Sequence, residues 1–306
     1  MTGRDHIPVL LDESLTLLDA GRSGVYIDGT LGLAGHSREI LKRNPGARLV
    51  GFDRDEAALD EAQRRLSPYR NRIALYHADF RRLLEVEIDW ASVRGVFLDL
   101  GMSSFQLDDP ARGFSHQLDG PLDMRMDRRQ HLDAARVIDK YPEARLADLF
   151  RNYGELRPAA KLARMIASRR RMTKIESTVQ LRTIVEEVCR WIPQKGKTHP
   201  AAKVFQALRI EVNEELAGLR EFLESVIARL PEDGRLAVIS FHSLEDRIVK
   251  HTFLQAARPD QETGRRPAQV ELLTKHPVVP GEAEISRNSR SRSAKLRAVR
   301  KQAHGS

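Results

Sequence analysis

The chain has 306 residues, of which 41% are hydrophobic, so it is longer than a usual single domain and can bury a sizeable core. Lysine and arginine outnumber aspartate and glutamate by 51 to 43, and the resulting net charge of +8 favours a polyanionic partner such as a nucleic acid. The single cysteine, Cys189, excludes an intrachain disulfide, and no apolar stretch reaches the roughly 18 residues of a membrane span, so we expect a soluble, cytoplasmic protein.

The first strong pattern is a buried strand that leads into a glycine-rich turn and a helix. Glycines follow Asp28 at positions 29, 32 and 35, and the helix is predicted over Ser37–Arg43. Such glycines bring backbone close to a ligand, or they simply pack a helix against a sheet. Their spacing differs from the Gly-x-Gly-x-x-Gly of dinucleotide sites. Asp28 favours an amine, such as the one on the methionine part of S-adenosylmethionine.

Three further strands are predicted in the first hundred residues, and an acidic residue stands at or near the end of each. With the first strand, they place four carboxylates at one edge of a parallel sheet: Asp28, Asp53, Asp79 and Asp99. Asp53 follows Asp28 by 25 residues, where a Rossmann-like sheet presents a carboxylate to ribose hydroxyls. Capping the next helix is the alternative role of Asp53. The strand and helix alternation predicts an α/β fold.

Periodicity is lost between Phe105 and Asp133, where the chain is rich in glycine, aspartate, arginine and methionine. A loop of this length inside a compact domain is usually functional, and its apolar side chains argue against disorder. We expect a substrate-binding loop, with a solvated linker as the alternative.

Helical patterns dominate from Leu132 to about Ile192, including a capping box formed by Ser177 and Gln180. They interrupt the sheet and predict an inserted helical domain. The insertion spans residues 106–199, and the sheet domain is formed by residues 1–105 and 200–306. The basic run Arg169–Arg171 binds phosphates or ends a solvated helix; the pattern leaves both open.

The next pattern is one helix with a stripe from Phe205 to Leu219, which returns the chain to the sheet. A fifth strand ends at His242, which either faces the site or is a structural histidine. Further strands are predicted over Gln269–Lys275 and Ala294–Val299, after a loop from Arg258 to Pro267. The basic residues near the end bind RNA or form a solvated tail. The histidines are too scattered to predict a metal site.

Taken together, these motifs resemble the ribosomal RNA small subunit methyltransferase H family, the MraW-like 16S rRNA cytosine-N4 methyltransferases. The resemblance covers nearly the whole chain. It is carried by His6–Leu11, Tyr26–Thr30, Gly35–Ser37, Phe52–Asp55, Leu98–Gly101, Ser103–Ser104, Gln106–Asp108, Arg112–Ser115, Asp119–Asp127, His199–Ala201, Phe205–Ala207 and Ile239–Lys250.

The resemblance implies a class I, Rossmann-like S-adenosylmethionine-dependent methyltransferase fold. It implies cofactor contacts from Ala34, Gly35, His36, Asp53, Phe80, Asp99 and Gln106. The implied reaction is N4-methylation of cytidine 1402 in the decoding region of 16S rRNA. The implied partner is 16S rRNA or the small ribosomal subunit, and the sequence leaves a monomer or a homodimer open.

An exocyclic amine is a poor nucleophile because its lone pair is delocalised into the ring. A site must hold it in line with the methyl carbon and accept hydrogen bonds from its N–H groups. We expect Asp99 to be the acceptor, helped by Ser103 and Ser104. The expected substrate contacts come from four further residues: Arg112, Asp123, Arg125 and His242. Asp99-Leu100-Gly101-Met102 stands where many amino methyltransferases have an Asp-Pro-Pro-Tyr motif.

Two other functional classes compete with this interpretation. A nicotinamide-dependent oxidoreductase would need the tighter glycine fingerprint, which is missing. A non-catalytic ribosome-assembly factor would keep the fold and bind RNA only. Methylation at carbon 5 of cytosine would need a cysteine nucleophile, and Cys189 lies on an apolar helical pattern with no accompanying motif.

Overall fold

The computed structural model of the chain describes residues 8–190, 199–259 and 267–303, apart from the side chain of Ser104. The chain divides into two compact units. We call residues 1–101 and 218–306 the sheet unit, and residues 102–217 the helical unit. No helix within the described ranges has the length and apolar character needed to cross a membrane.

The strands, in chain order, are β1 (Gly24–Asp28), β2 (Ala47–Asp53), β3 (Ile73–His77), β4 (Val93–Asp99), β5 (Arg235–Ser240), β6 (Val270–Leu272) and β7 (Lys295–Lys301). The helices are α1 (Leu11–Leu17), α2 (Gly35–Arg43), α3 (Glu56–Arg65), α4 (Ser104–Asp108), α5 (Ala134–Lys140), α6 (Glu143–Asn152), α7 (Ala159–Arg169), α8 (Thr178–Cys189), α9 (Pro200–Asn213), α10 (Leu219–Arg229), α11 (Ser243–Ala256) and α12 (Glu282–Arg287). Short 3₁₀ turns connect several of them.

The strands of the sheet unit form one sheet in the order β3-β2-β1-β4-β5-β7-β6. The first five positions are parallel, and β7 runs antiparallel to both of its neighbours. The strand order reverses direction between β1 and β4. In a doubly wound sheet, this switch point opens a crevice at the carboxyl ends of the strands, where ligands bind.

Both faces of this sheet are covered, which explains the nearly continuous apolar character of its strands. Within β5, Ala237 and Ile239 belong to one core cluster, while Leu236 and Val238 belong to the other. This alternation follows from the two-residue period of a strand. Helices α1, α2 and α3 pack on the first face, and α10 and α11 on the second.

The predicted strands are present, and the last two form β6 and β7. The prediction of one helix from Phe205 to Leu219 is wrong. α9 ends where Glu214 takes a left-handed conformation, with φ at 49°, and α10 begins only after Gly218, with φ at 68°. The predicted loop over residues 258–267 and the end of the predicted helical region at residues 191 and 192 lie largely outside the described residues.

Helix α9 belongs to the helical unit, whereas the sequence assigned residues 200–213 to the sheet domain. Its apolar stripe packs with α5, α6 and α8, and Phe205, Leu208 and Val212 lie in their common core. The unit therefore covers residues 102–217, instead of the expected 106–199. Burial of the stripe decides the boundary, because α9 would otherwise expose a row of large apolar side chains.

The segment expected to be a substrate loop or a linker is part of the helical core. Phe114, Leu122, Met124 and Met126 are buried among the helices. The buried Asn213 side chain donates to the Met124 carbonyl at 2.8 Å and accepts from the Met126 N–H at 2.8 Å. These contacts exclude a solvated linker and give the segment a fixed shape.

We predict that Gly120→Ala destabilises the helical unit. A Cβ atom at this position would lie 1.9 Å from the Pro110 carbonyl oxygen, so the backbone has to shift. Overpacking of this kind costs about 1–3 kcal/mol, which urea unfolding of the variant measures.

Gly281→Ala is the matched control, because a Cβ atom there meets nothing within 4 Å. Its free energy of unfolding should stay close to that of the parent. Equal stabilities of the two variants would contradict the tight contact at Gly120.

Candidate active site

The turn after β1 is held by hydrogen bonds at the carboxyl edge of the sheet. Asp28 accepts from the Ser37 hydroxyl at 2.6 Å and from the Thr30 N–H at 3.1 Å. The Thr30 hydroxyl in turn accepts from the Asp99 N–H. The turn and α2 are thus fixed to the ends of β1 and β4, the two strands at the switch point.

Two of the three glycines in this turn are explained by protein packing. A Cβ on Gly29 would lie 2.5 Å from Leu98 and 2.9 Å from Phe80, and one on Gly35 would lie 2.5 Å from Pro8. The expectation that these glycines make room for a ligand is therefore not needed to explain them. Close approach of neighbouring side chains requires glycine at both positions.

Asp53, at the end of β2, binds the remaining glycine of the turn, Gly32. Its carboxylate accepts from the Gly32 N–H at 2.7 Å and from the Asp55 N–H at 2.8 Å. Gly32 has a φ of 51°, in the left-handed region that favours glycine. Burial raises the pKa of Asp53 to about 6. A carboxylate has about four lone-pair sites, so these two bonds leave Asp53 able to accept from further donors.

The start of α2 presents backbone N–H groups at the same edge. Ala34 caps the helix with a φ of 59°. In an α-helix, the N–H groups of the first turn have no acceptor in the helix itself. The His36 ring is held by the Val9 carbonyl at 2.9 Å and packs 4.5 Å from the Phe97 ring. The His36 ring is therefore held by contacts within the protein.

After β3, an acidic and an aromatic residue have different surroundings. Asp79 pairs with both Arg54 and Arg81. Burial favours a higher pKa for Asp79, but the hydrogen bonds and charges of the two arginines outweigh it and lower that pKa. Phe80 is buried and packs edge-on against Phe222, with ring centroids 4.8 Å apart. The structure thus places an ionised, paired carboxylate beside an apolar wall.

Asp99 ends β4 with an unsatisfied acceptor. Its Oδ1 atom is inaccessible to solvent and has no hydrogen-bond partner among the described residues. Burial, together with the charges of Asp28 and Glu245, raises the pKa of Asp99 to about 7. A buried acceptor without a donor is destabilising, so this atom marks a place where a ligand donor fits.

His242 lies at the same edge, and its contacts are those of a helix cap. Its Nδ1 atom accepts from the Glu245 N–H at 3.3 Å, while Glu245 accepts from the N–H groups of Phe241 and His242. His242 Nε2 also lies 3.2 Å from a Glu245 oxygen. These contacts account for the buried position of His242, and its predicted substrate contact stays a prediction.

The other predicted site residues belong to the helical unit, and two of them form its first helix cap. The Ser103 hydroxyl accepts from the Gln106 N–H at 3.2 Å, and the Gln106 side chain accepts from the Ser103 N–H at 3.1 Å. This capping box gives both residues a local structural role. Ser104 begins α4, but its side chain lies outside the part of the chain that the structure describes.

Arg112, Asp123 and Arg125 hold the segment between α4 and α5 together. Arg112 is only 3% exposed and donates to the carbonyls of Arg125 and Met126. Arg125 and Asp123 form a two-bond ion pair with both distances at 2.8 Å. The observed contacts of these residues fix the shape of the loop. Their direct contacts with a substrate stay predictions.

The family model for MraW methylases matches residues 3–302. The chain belongs to the MraW methylase family. Three curated proteins named ribosomal RNA small subunit methyltransferase H are similar over 97% of this chain. The protein from Carboxydothermus hydrogenoformans is 46% identical over 97% of its length, that from Nitratidesulfovibrio vulgaris 44% over 95%, and that from Clostridium botulinum 44% over 98%.

Family membership confirms the Rossmann-like methyltransferase fold and S-adenosyl-L-methionine as the cofactor of this MraW methylase. The residues of the sheet unit fit that molecule. Asp53 can accept from ribose hydroxyls, Phe80 is an apolar side chain of a kind that suits adenine, and the unsatisfied oxygen of Asp99 suits a donor. The α2 N–H groups suit a carboxylate.

Sequence reasoning missed three residues that position this site. Thr30 and Ser37 connect the turn to Asp99 and Asp28, and Glu245 adds negative charge near Asp99. A hydroxyl residue directly after a strand and turn is a usable signal for such a link. Glu245 stands three residues after His242, the spacing of a capping box, but with histidine in place of serine or threonine.

We predict that Asp53→Asn weakens the binding of S-adenosyl-L-methionine by about 1–3 kcal/mol, because charged hydrogen bonds to ribose are lost. Calorimetry measures this change. Asp60→Asn, an exposed position on α3, makes the same chemical change away from the edge and should leave the affinity at the parent value. Parent-like affinity in Asp53→Asn would remove Asp53 from the cofactor site.

The raised pKa of Asp99 predicts a pH dependence of stability. Between about pH 4 and pH 7, the unfolded chain has released the aspartate proton, while the folded protein still holds it. The free energy of unfolding should therefore fall as pH rises through this range. Asp99→Asn removes the titration and should make the fall shallower.

Urea unfolding at intervals between about pH 5 and pH 8 measures this difference. Asp60→Asn serves again as the control and should follow the parent curve. Parallel curves for Asp99→Asn and the parent would show that Asp99 has an ordinary pKa in the folded protein.

Proposed function

We propose that this MraW methylase transfers a methyl group from S-adenosyl-L-methionine to N4 of cytidine 1402 in the decoding region of 16S rRNA. The observation that carries the proposal is the buried, unsatisfied Oδ1 atom of Asp99 at the switch point of the sheet. The names of the relatives and the net charge of +8 support a ribosomal RNA substrate.

The chemistry requires a hydrogen-bond acceptor next to the target amine. The N4 lone pair of cytosine is delocalised into the ring, and an acceptor for its N–H groups helps that lone pair to localise on nitrogen. Asp99 supplies a carboxylate oxygen in a buried setting, where a charged hydrogen bond is strongest. Thr30 positions Asp99 by accepting from its N–H.

The transfer itself is a displacement. S-adenosyl-L-methionine, held by Asp53 and the N–H groups at the start of α2, would supply an electrophilic methyl group, and the sulfonium sulfur would keep the electron pair as the leaving group. The methylated amine then loses one proton, and Asp99, with a pKa near 7, is matched to receive it at neutral pH.

The remaining predicted roles belong to the same proposal. Ser103 and Ser104 assist Asp99, Gln106 contacts the cofactor, and the loop held by Arg112, Asp123 and Arg125 receives the RNA with His242. The target base has to be splayed out of the folded RNA to reach a carboxylate at a sheet edge. A cytoplasmic location, where the small subunit is made, is part of this proposal.

Attack at carbon 5 would require a reactive thiolate instead. Burial raises the pKa of the Cys189 thiol, which disfavours the thiolate form. Cys189 also packs against the core of the helical unit. The structure therefore offers no support for a cysteine nucleophile, and the amine remains the favoured target.

The decisive test is nucleoside mass spectrometry of 16S rRNA from cells with and without this protein. We predict that N4-methylcytidine at position 1402 disappears without the protein. The parent gene should restore it, and Asp99→Ala should not, because the amine loses its acceptor.

Asp60→Ala is the matched control and should restore the methylation fully. Unchanged N4-methylcytidine in the deleted strain would reject the proposed substrate. Full restoration by Asp99→Ala would reject the acceptor role of Asp99. A defect in small-subunit assembly in the deleted strain, without any change in methylation, would favour a non-catalytic assembly factor.

A further inference from the structure

The basic residues near the end of the chain divide into two groups in the sheet unit. Those in β7 have partners inside the unit. Arg297 and Lys295 pair with Asp246 at 2.7 and 3.1 Å, and the buried Lys301 ammonium donates to the Ile227 carbonyl. Arg300 pairs with Glu271 at 2.5 Å. This half of the basic run is structural.

The residues just before β7 differ in exposure. Arg287, Arg290 and Arg292 are all exposed, and we call these three side chains the arginine edge. Residues 287–295 contain four basic residues and no acidic one. The nearest acids along the chain are on α12, where Glu284 accepts from the Leu10 N–H.

A 3₁₀ turn over Ser289–Ser293 fixes the direction of these arginines. Ser291 is fully buried, and its hydroxyl donates to the Asn288 carbonyl at 2.8 Å, while Ala294 is 1% exposed. Because Ser291 and Ala294 face the core, the arginines on either side of Ser291 are directed outward. The arginine edge is therefore presented on an ordered segment.

The topology places this segment at the carboxyl edge of the sheet. β7 is antiparallel to β5, and Lys295 pairs with Ser240, so the chain enters β7 where β5 ends. Asp99 pairs with Ile239, and Ile239 pairs with Leu296, which puts them in one row across three strands. Two strand spacings separate Asp99 from Leu296, about 10 Å.

We propose that the arginine edge binds the phosphate backbone of single-stranded RNA beside the target nucleotide, and so positions that nucleotide at Asp99. This inference rests on the proposed function. Exposed guanidinium groups bind phosphates with two parallel hydrogen bonds. A splayed-out base leaves its flanking phosphates at the surface, next to the edge that it enters.

The other basic run, Arg169–Arg171, makes contacts with neighbouring groups inside the helical unit. Arg169 pairs with Glu187 at 2.8 Å, and Arg170 donates to the Ile138 carbonyl. Lys174 lies 3.8 Å from Glu176. Nearby acids and carbonyls thus contact Arg169, Arg170 and Lys174. Arg287 of the arginine edge also donates to a carbonyl, that of Ala283. The place of residues 287–295 at the carboxyl edge of the sheet, rather than a lack of partners, distinguishes them.

The test is binding of a single-stranded RNA oligonucleotide with the target sequence, without methyl donor, across a range of salt concentrations. We expect Arg290→Ala/Arg292→Ala to weaken binding about tenfold near 0.1 M salt. The slope of log affinity against log salt should become shallower by about 1.4, because two phosphate contacts are lost. Arg290→Lys/Arg292→Lys should keep most of the parent slope.

Arg70→Ala/Arg229→Ala is the matched control. Both arginines are exposed, and each lies on a segment that leads into the start of a strand, at the opposite edge of the sheet. This pair removes the same charge and should leave the salt slope at the parent value. Affinity for S-adenosyl-L-methionine should be unchanged in both pairs, which shows that the sheet unit is intact.

Two outcomes would overturn the inference. These are a parent-like slope in Arg290→Ala/Arg292→Ala, or an equal loss of affinity and slope in the control pair. Because binding is measured without methyl transfer, the two proposals can fail separately. If N4-methylcytidine did not depend on this protein, but the salt slope was shallower in Arg290→Ala/Arg292→Ala, only the proposed function would be rejected. The inference that the arginine edge binds RNA would stand.

Discussion

The site depends on how the turn between β1 and α2 is attached to its neighbours. Asp53 binds the Gly32 N–H, Asp28 binds Ser37 and the Thr30 N–H, and the Thr30 hydroxyl binds the Asp99 N–H. Each bond satisfies a backbone or hydroxyl group that burial would otherwise leave unpaired. The carboxylates at the sheet edge thus support the turn first, and only their remaining lone pairs serve a ligand.

Burial also sets the charge of this edge. The pKa values of Asp28 and Asp53 rise to about 6 and that of Asp99 to about 7, while two arginines keep Asp79 ionised. The raised pKa values mean that Asp28, Asp53 and Asp99 ionise less readily than usual. A cation placed near them would stabilise their charged forms. A sulfonium and an ammonium group meet that need, whereas a pyrophosphate would add repulsion. The electrostatics therefore agree with the glycine spacing, which had argued against a dinucleotide.

Much of this could be predicted from the sequence, because strand period and the rule for strand ends place Asp53 and Asp99 without knowledge of contacts. Other features depend on distant neighbours. Gly29 and Gly35 are required by Leu98, Phe80 and Pro8, which no local pattern reveals. The break after α9 arises at Glu214, a residue type with no preference for the left-handed region. The capping role of His242 became visible only with Glu245 beside it.

The net charge of the chain is a further case in which the sequence alone predicts only part of the site. An excess of basic residues says that a polyanion is a suitable partner, but this sheet edge carries carboxylates that repel phosphate. The two facts are compatible if the target base of the RNA lies apart from its phosphate backbone. The neutral base would then enter among the carboxylates, and the phosphates would stay outside. Such a separation needs cations beside the acidic edge, held apart from it. In β7, Arg297 pairs with Asp246 of α11 and Lys301 donates to the Ile227 carbonyl of α10, so both serve the fold. The turn before β7 directs Arg290 and Arg292 outward. In the proposed mode of binding, position relative to the sheet, rather than the count of charges, decides which arginines contact RNA.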